Sequence, residues 1–262
     1  MALHELNPTG RFSDRGREYA RYRPSYPAAA IDAVVRAVEL VRGAGGGGRE
    51  IIAADVGAGT GISSRLLTER GVRVMAVEPN AGMRDSAEPH ARVSWIDGSA
   101  ERTGLDAQSV DLVLCAQAFH WFDESKALAE FHRVLKERGV LSLVWNDRDN
   151  SDPLTGAYGR AILEASGNHP AALDRSECGQ AVFGSPLFRG AQVQAFAYEQ
   201  PMDLDGLIGR ALSASYTPKA GPAHEKLVRE LREAHAAFAD AEGVVRMRYR
   251  TRVYTAVRAD AA

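Results

Sequence analysis

Three glycines at alternate positions follow a short apolar run, and their spacing is suited to holding a cofactor. Glycines let a ligand approach the backbone where any Cβ would collide, and a helix behind them offers unpaired amide donors. Three glycines in five residues would also weaken any strand or helix that contained them. We therefore interpret the segment as the loop of a nucleotide-like cofactor site. Its residues are Asp55, Gly57, Ala58, Gly59, Thr60 and Gly61.

Two carboxylates accompany this glycine loop. Asp55 ends the apolar run, where it could accept a hydrogen bond from an ammonium group or hold the loop. Glu78 ends the next apolar run, 23 positions later, where a doubly wound fold places the carboxylate that binds ribose hydroxyls. The dinucleotide fingerprint needs a glycine where Ile62 stands, and the lysine of a phosphate-binding P-loop is missing. An NAD(P)-dependent oxidoreductase is therefore the alternative, not the favoured reading.

Other polar groups follow later apolar runs. His120 comes after the fourth run, at the mouth where a second substrate must sit, and could act there as a general base or an orienting group. A packing role for the neighbouring Phe119 and Trp121 is the competing interpretation. Arg148 follows the fifth run and could bind a carboxylate with paired donors, although a solvated loop explains it as well.

An aromatic cluster near the N-terminus could close over a cofactor. Tyr19, Tyr22, Arg23 and Tyr26 lie within eight residues of one another. Such a lid would exclude water and offer aromatic faces to a cation. The alternative is an N-terminal arm that only packs on the domain.

Short apolar runs alternate with amphipathic stretches, which predicts a parallel sheet covered by helices on both faces. The predicted strands are 51–56, 73–77, 93–96, 110–115 and 140–145. The predicted helices are 28–41, 61–69, 81–87, 124–136 and 224–239, and Gly139 would cap the fourth of them. The period-two tail over roughly residues 246–257 predicts a strand. Right-handed crossovers would bring every strand-to-helix loop to one edge of the sheet.

The chain divides into four predicted segments. We expect an N-terminal arm and helix over 1–48, a Rossmann-like cofactor core over 49–148, a helical and loop substrate cap over 149–245, and a final strand within 246–262.

Composition excludes several classes of protein. The net charge is −2, so no strong field attracts nucleic acid or an anionic membrane. Alternate arginines at positions 246–252 invite a nucleic-acid hypothesis, but the charged outer face of a terminal strand explains them equally well and also protects an edge. Cys115 and Cys178 suggest free thiols, and neither a membrane span nor a signal peptide is visible. We expect a cytoplasmic protein, and its oligomeric state cannot be read from the sequence.

Four motifs together carry a family resemblance. They are Asp55–Gly61, Ala76–Pro79, Gly98–Glu101 and Asp111–Phe122. In combination they resemble class I S-adenosylmethionine-dependent methyltransferases, and most closely the small-molecule branch that includes trans-aconitate methyltransferase. The resemblance implies a Rossmann-like α/β sandwich whose seven-stranded sheet is mostly parallel, with an antiparallel last strand.

The resemblance also implies positions for the cofactor. The loop glycines would face its methionine part, and Glu78 would hold its ribose. Met83, after Pro79, would pack against adenine. Ser99 and Ala100 would contact the adenine edge, although many relatives have an acidic residue where Ser99 stands. Gln117 would lie under the sulfonium.

The function implied is metal-independent methyl transfer to a small molecule, with S-adenosylhomocysteine as the second product. The acceptor atom could be O, N or C, and a carboxylate is possible. A protein that binds the cofactor without transferring a methyl group is a further alternative. Nothing in the sequence names the acceptor.

Overall fold

A seven-stranded sheet organises the computed structural model, which describes residues 21–43, 48–169, 172 and 176–260. Its strands are β1 (Ile52–Val56), β2 (Arg73–Val77), β3 (Val93–Ile96), β4 (Val110–Ala116), β5 (Leu135–Arg148), β6 (Phe188–Met202) and β7 (Val245–Arg258). The helices are α1 (Ala28–Arg42), α2 (Ile62–Thr68), α3 (Ala81–Asp85), α4 (Glu124–Val134), α5 (Pro153–Ala165), α6 (Ala181–Gly184), α7 (Leu204–Leu212) and α8 (Pro222–Phe238).

The strands are ordered β3-β2-β1-β4-β5-β7-β6. Strands β1 to β5 pair in parallel, whereas β7 runs antiparallel to both β5 and β6. The prediction of a mostly parallel seven-stranded sheet with an antiparallel last strand is confirmed. The chain continues from β1 to β2 on one side of the β1–β4 pair and from β4 to β5 on the other side. Such a change of direction opens a crevice at the carboxyl ends of β1 and β4.

Apolar helices cover both faces of the central strands. On one face α1 packs Ile31 and Val34 in a cluster with Leu112 of β4. On the other face α4 packs Leu128 and Phe131 in a cluster that includes other residues of β4 and β5. Strands buried on both sides read as continuous apolar runs, which is why their positions were predictable.

Two boundary predictions were wrong around Gly139. Helix α4 ends at Val134, and β5 begins at the next residue. Val110 of β4 pairs with Leu135, but Leu112 pairs with Val140, so β5 holds extra residues that bulge between these pairs. Gly139 lies in this bulge and is not a helix cap.

The prediction of helices and loops throughout 149–245 missed strand β6. This strand pairs only with β7 among the described strands, and most of its side chains are exposed or half-buried. An edge strand with little buried surface lacks the apolar alternation that marks a strand in sequence. Helices α5, α7 and α8 do form in the remainder of the segment, where they share an apolar cluster with β7.

Residues 1–20 and 44–47 of the predicted N-terminal segment lie outside the described residues, and Tyr19 is among them. Within the described part of the chain, no helix combines the length and apolarity needed to cross a membrane.

Candidate cofactor and acceptor site

The glycine loop turns sharply between β1 and α2. Gly57 donates its N–H to the carbonyl of Val77 at 2.9 Å, which ties the loop to the end of β2. Its φ of +72° lies in the left-handed region. A Cβ placed there would lie 2.6 Å from the Cβ of Ala118 and 3.0 Å from the ring of Phe122. The loop therefore passes so close to the segment after β4 that only glycine fits.

Glu78 holds the glycine loop from the neighbouring strand. Its Oε2 accepts the N–H of Gly59 at 3.0 Å, and its Oε1 accepts the N–H of Asn80 at 2.9 Å. The residue is only 9% exposed, and burial raises the pKa of this carboxyl above its ordinary value. One carboxylate thus joins the loop after β1 to the start of α3, at the edge where ribose binding was predicted.

Asp55 anchors helix α2. Its Oδ2 accepts the hydroxyls of Ser63 at 2.7 Å and Ser64 at 2.6 Å, while its Oδ1 has no hydrogen-bond partner. These bonds support the loop-holding reading of Asp55. The side chain is fully buried, and burial raises the pKa of Asp55 to about 6.

The raised pKa of Asp55 predicts a pH-dependent stability. The folded protein retains the proton of Asp55 more tightly than the unfolded chain, so this contribution is present below about pH 4 and is lost as the pH rises through 6. We expect the free energy of unfolding, measured relative to Asp55→Asn, to fall by about 3 kcal/mol over that window. Denaturant unfolding of both proteins at several pH values measures this difference, and a constant difference would contradict it.

Gln117 takes a left-handed backbone conformation immediately after β4, with a φ of +57°. Its N–H donates to the carbonyl of Val144 at 2.8 Å, and its Nε2 donates to the carbonyl of Asn146 at 3.1 Å. A non-glycine residue with positive φ is uncommon and marks a turn that its surroundings hold in place. The turn brings the segment with Ala118 against Gly57.

Glu101 fixes the far end of this turn. Its Oε1 accepts the N–H of Asp123 at 2.9 Å, at the start of α4. The motifs around Gly57, Glu78, Glu101 and Gln117 are thereby joined at one edge of the sheet.

Comparison with known proteins identifies this arrangement. Residues 54–143 match a family model described as a methyltransferase domain. This match supports a class I, S-adenosylmethionine-dependent methyltransferase domain over these residues. An uncharacterized methyltransferase of Mycobacterium tuberculosis is 45% identical over 134 residues, which is 50% of this chain and 50% of the relative. A malonyl-[acyl-carrier protein] O-methyltransferase of Serratia marcescens is 35% identical over 128 residues, 47% of this chain and 49% of that protein.

The fold extends beyond the matched domain. A phosphoethanolamine N-methyltransferase 2 of Haemonchus contortus superposes with a TM-score of 0.57 and 16% identity, covering 99% of this chain and 61% of that one. At this identity the likeness shows the fold alone. The chain spans about half the length of the curated relatives it matches.

The methyltransferase domain fits its cofactor by two structural observations. The Gly57 position leaves a cradle that a Cβ would fill against Ala118. Within the same loop Thr60 is 1% exposed, and its hydroxyl has no hydrogen-bond partner among the described residues. Close backbone approach and an unused polar atom are what a loop needs to bind a ligand.

The residues assigned to the adenine side follow β2 and β3. Asn80 caps α3 by accepting the N–H of Met83 at 3.0 Å, and Met83 is 4% exposed. Ser99 exchanges backbone hydrogen bonds with Arg102 in a tight turn, and Ala100 is buried beside it. Pro79 links Glu78 to the capping Asn80. These residues lie at the expected edge, and their contact with adenine stays a prediction.

His120 lies in a 3-10 turn (Phe119–Trp121) and receives a hydrogen bond from a buried tryptophan. The Nε1–H of Trp145 donates to Nδ1 of His120 at 3.3 Å. An indole nitrogen only donates, so Nδ1 must carry the lone pair, and the neutral ring holds its proton on Nε2. His120 is therefore set to present an N–H at Nε2. Sequence reasoning missed this role of Trp145, because a tryptophan in an apolar strand reads as core.

Tyr22 and Arg23, at the start of the described residues, pack on α7 in the C-terminal half of the chain. The ring of Tyr22 lies against Gly209 of α7, and Arg23 donates from Nη2 to the carbonyl of Ser213 at 3.3 Å. Tyr26 is buried in a large apolar cluster that also includes Ala58. The contacts of Tyr22 and Arg23 lie on α7 and the residue after it. Their cofactor role stays a prediction.

The described residues contain no group of three or more His, Cys, Asp or Glu side chains arranged to hold a metal ion.

Proposed function

We propose that the protein transfers a methyl group from S-adenosylmethionine to a small-molecule acceptor. The observation that carries the proposal is the meeting of the Glu78-held glycine loop with the turn after β4, where Gly57 lies against Ala118. This contact brings the glycine loop and the 3-10 turn that contains His120 to one edge of the sheet. Transfer of a labelled methyl group to a component of a metabolite extract tests it.

The bound cofactor supplies an activated methyl group on a sulfonium. The chain must then hold the acceptor in line with that group, about 3 Å away, and exclude water. The Gln117 turn is held by two hydrogen bonds to the carbonyls of Val144 and Asn146 in β5, so it provides a rigid floor for this alignment. Helices α5, α7 and α8 would supply the walls of the acceptor side.

The acceptor nucleophile is O, N or C, and a carboxylate is one candidate. A carboxylate needs no general base, which agrees with a site built for positioning. The relative from Serratia marcescens is named as an O-methyltransferase of a malonyl group, which favours a small acid over a nucleic acid.

The arginine stripe of β7 also argues against nucleic acid as a substrate. Arg246 pairs with Asp240 at 2.6 Å, Arg248 with Glu199 at 3.1 Å, and Arg252 with Glu177 at 3.1 Å. A stripe in which three of the four arginines are paired with carboxylates offers little charge to phosphates. It is better explained as the polar face of the sheet.

We expect His120 to orient the acceptor through its Nε2–H. Replacement by alanine should lower kcat/KM about tenfold, because one positioning hydrogen bond is lost. His120→Gln keeps an amide donor and should retain more activity than His120→Ala. Trp145→Phe removes the hydrogen bond that keeps the His120 proton on Nε2, so the contribution of His120 to kcat/KM should become smaller. The measurement is kcat and KM across pH on the acceptor.

Two results would change this role of His120. Unaltered turnover in His120→Ala would remove the residue from the reaction. A loss of 10²- to 10⁴-fold, together with disappearance of the acidic limb of the pH profile, would instead indicate a general base.

The alternative functions are separable by ligand binding. A ligand at 100 times its Kd stabilises the folded state by about 2.7 kcal/mol. S-adenosylhomocysteine should therefore raise Tm, whereas NAD(P) should not. The reverse result would favour an oxidoreductase. Binding of the cofactor product without transfer to any metabolite would indicate a binding protein.

A further inference from the structure

A buried arginine on α7 has no acidic partner among the residues that the structure describes. Arg210 is 9% exposed, and within the same part of the chain its Nε has no hydrogen-bond partner. Among the described residues, no carboxylate oxygen comes within 4.0 Å of its guanidinium. Its neighbours on α7, Leu207 and Ala211, belong to the apolar cluster that includes Tyr158 and Tyr249, and Arg210 interacts electrostatically with the hydroxyls of these two tyrosines.

The tyrosines around Arg210 do not balance its charge. Tyr158 is 1% exposed, and burial raises its pKa to about 12, so it is neutral at physiological pH. The hydroxyl of Tyr249 donates to Oε1 of Gln200 at 3.1 Å. The described groups that face Arg210 are thus phenol hydroxyls, and none of them is a carboxylate.

A second guanidinium converges on the same tyrosine. Arg148, at the end of β5, lies 5.7 Å from the ring centre of Tyr158. Its Nη2 donates to the carbonyl of Ala172 at 3.0 Å, which fixes its position. The positive charges of Arg148 and Arg210 both act to lower the pKa of Tyr158, against the larger effect of burial. Two cations therefore act on one neutral tyrosine.

A buried charge without a counter-charge costs stability, and proteins pair such groups or use them on ligands. Guanidinium groups match the paired oxygens of carboxylates and phosphates. We propose that Arg210, with Arg148 and the hydroxyl of Tyr158, binds an anionic group, a carboxylate or a phosphate, on the methyl acceptor. This inference rests on the proposed function, since it names the substrate class of that site.

The position of the cluster fits an acceptor that reaches toward the donor. The carbonyl of Asn146 accepts a hydrogen bond from Gln117, at the turn beside the glycine loop. Arg148 lies two residues further along β5, on the same face and about 7 Å away. Tyr249 pairs with Arg148 across the sheet, which holds the cluster against the same strand end. An acceptor of a few carbon atoms would span the distance.

The acceptor in this arrangement is an acid with a second reactive group. The anion would be held by Arg210 and Arg148, while the nucleophilic atom would lie near the Gln117 and His120 turn. Neutral amines and alcohols without an acidic group would leave the two cations unpaired, so the site would select against them.

Anion binding to the whole protein tests the proposal, with S-adenosylhomocysteine present at saturation. The probes are inorganic phosphate and the dicarboxylates succinate, glutarate and adipate, measured by calorimetry and thermal shift. We expect saturable binding of phosphate or of a dicarboxylate, and the responding probe distinguishes the two anion types. Arg210→Met should weaken that binding at least about tenfold, equivalent to about 1.4 kcal/mol. Arg148→Met should weaken it less, because the Arg148 side chain is only half-buried and already donates a hydrogen bond to the carbonyl of Ala172.

The controls separate a ligand site from a structural arginine. Arg232→Met removes the same charge from an exposed position on α8 and should leave anion binding unchanged. Arg210→Met should keep its affinity for S-adenosylhomocysteine, and without anion its Tm should be equal to or above that of the wild type. A large drop in Tm, or failure to fold, would assign Arg210 a structural role and overturn the proposal.

Two further outcomes decide the remaining cases. Absence of binding of every probe to the wild type, or equal binding to Arg210→Met, would overturn the anion site. Probe binding that depends on Arg210 in a protein that methylates nothing would support the anion site while the proposed function fails.

Discussion

Replacing Glu78 by alanine is expected to weaken S-adenosylhomocysteine binding at least about tenfold, which corresponds to about 1.4 kcal/mol. The carboxylate accepts the N–H groups of Gly59 and Asn80, so its loss removes the side-chain bond that holds the glycine loop in addition to the backbone bond from Gly57 to Val77. Each buried N–H left without an acceptor costs about 1–3 kcal/mol, and the fold should lose stability as well. Calorimetric titration and denaturant unfolding measure the two effects separately.

The matched controls for Glu78 are an isosteric and a distant substitution. Glu78→Gln keeps one acceptor oxygen, but its amide nitrogen cannot accept the second N–H. It should fold better than Glu78→Ala and still bind the cofactor product more weakly than the wild type. Glu88→Ala removes a carboxylate whose side chain is 82% exposed and should change neither property. Unchanged affinity in Glu78→Ala would remove Glu78 from the cofactor site.

Replacing Gly57 by alanine should abolish cofactor binding. It should also destabilise the fold more than a glycine-to-alanine change at another position with positive φ. The added Cβ would lie 2.6 Å from the Cβ of Ala118, and a φ of +72° adds backbone strain. Strain in the left-handed region costs about 1–2 kcal/mol, and overpacking adds about 1–3 kcal/mol. The loop must also move away from the turn after β4, which would change the shape of the cofactor-binding loop at Gly57.

Gly71 provides the control for backbone strain alone. Its φ is +76°, but a Cβ there would meet nothing within 4 Å. Gly71→Ala should therefore cost only about 1–2 kcal/mol and leave cofactor binding intact. Equal losses of stability in the two variants, with cofactor binding retained in Gly57→Ala, would show that contact with Ala118 does not shape the loop.

The central strands could be predicted because strands that are buried on both faces appear in the sequence as continuous apolar runs. Strands β2 and β3 have the predicted bounds, and β1 differs by one residue. Strand β6 contains no such apolar run, because its exposed position at the edge of the sheet removes the need for apolar side chains. The bulge near Gly139 depends on pairing between β4 and β5, which a local pattern does not contain.

The site was predictable only in part for a related reason. Glycine spacing and the position of Glu78 mark the donor loop, because those residue types are costly elsewhere. The hydrogen bond from Trp145 to His120 joins residues 25 positions apart, and neither residue alone suggests it. Arg210 looks like an ordinary charge on an amphipathic helix until packing against Tyr158 and Tyr249 is known.

The most direct test of methyl transfer uses a metabolite extract and isotopically labelled S-adenosylmethionine. The wild-type protein and Glu78→Ala are incubated in parallel, and mass spectrometry follows both S-adenosylhomocysteine and every compound that gains the label. We expect the wild type to label at least one small acidic metabolite in proportion to the S-adenosylhomocysteine formed, and Glu78→Ala to label far less. A wild-type protein that binds S-adenosylhomocysteine but labels no compound would contradict the proposed function.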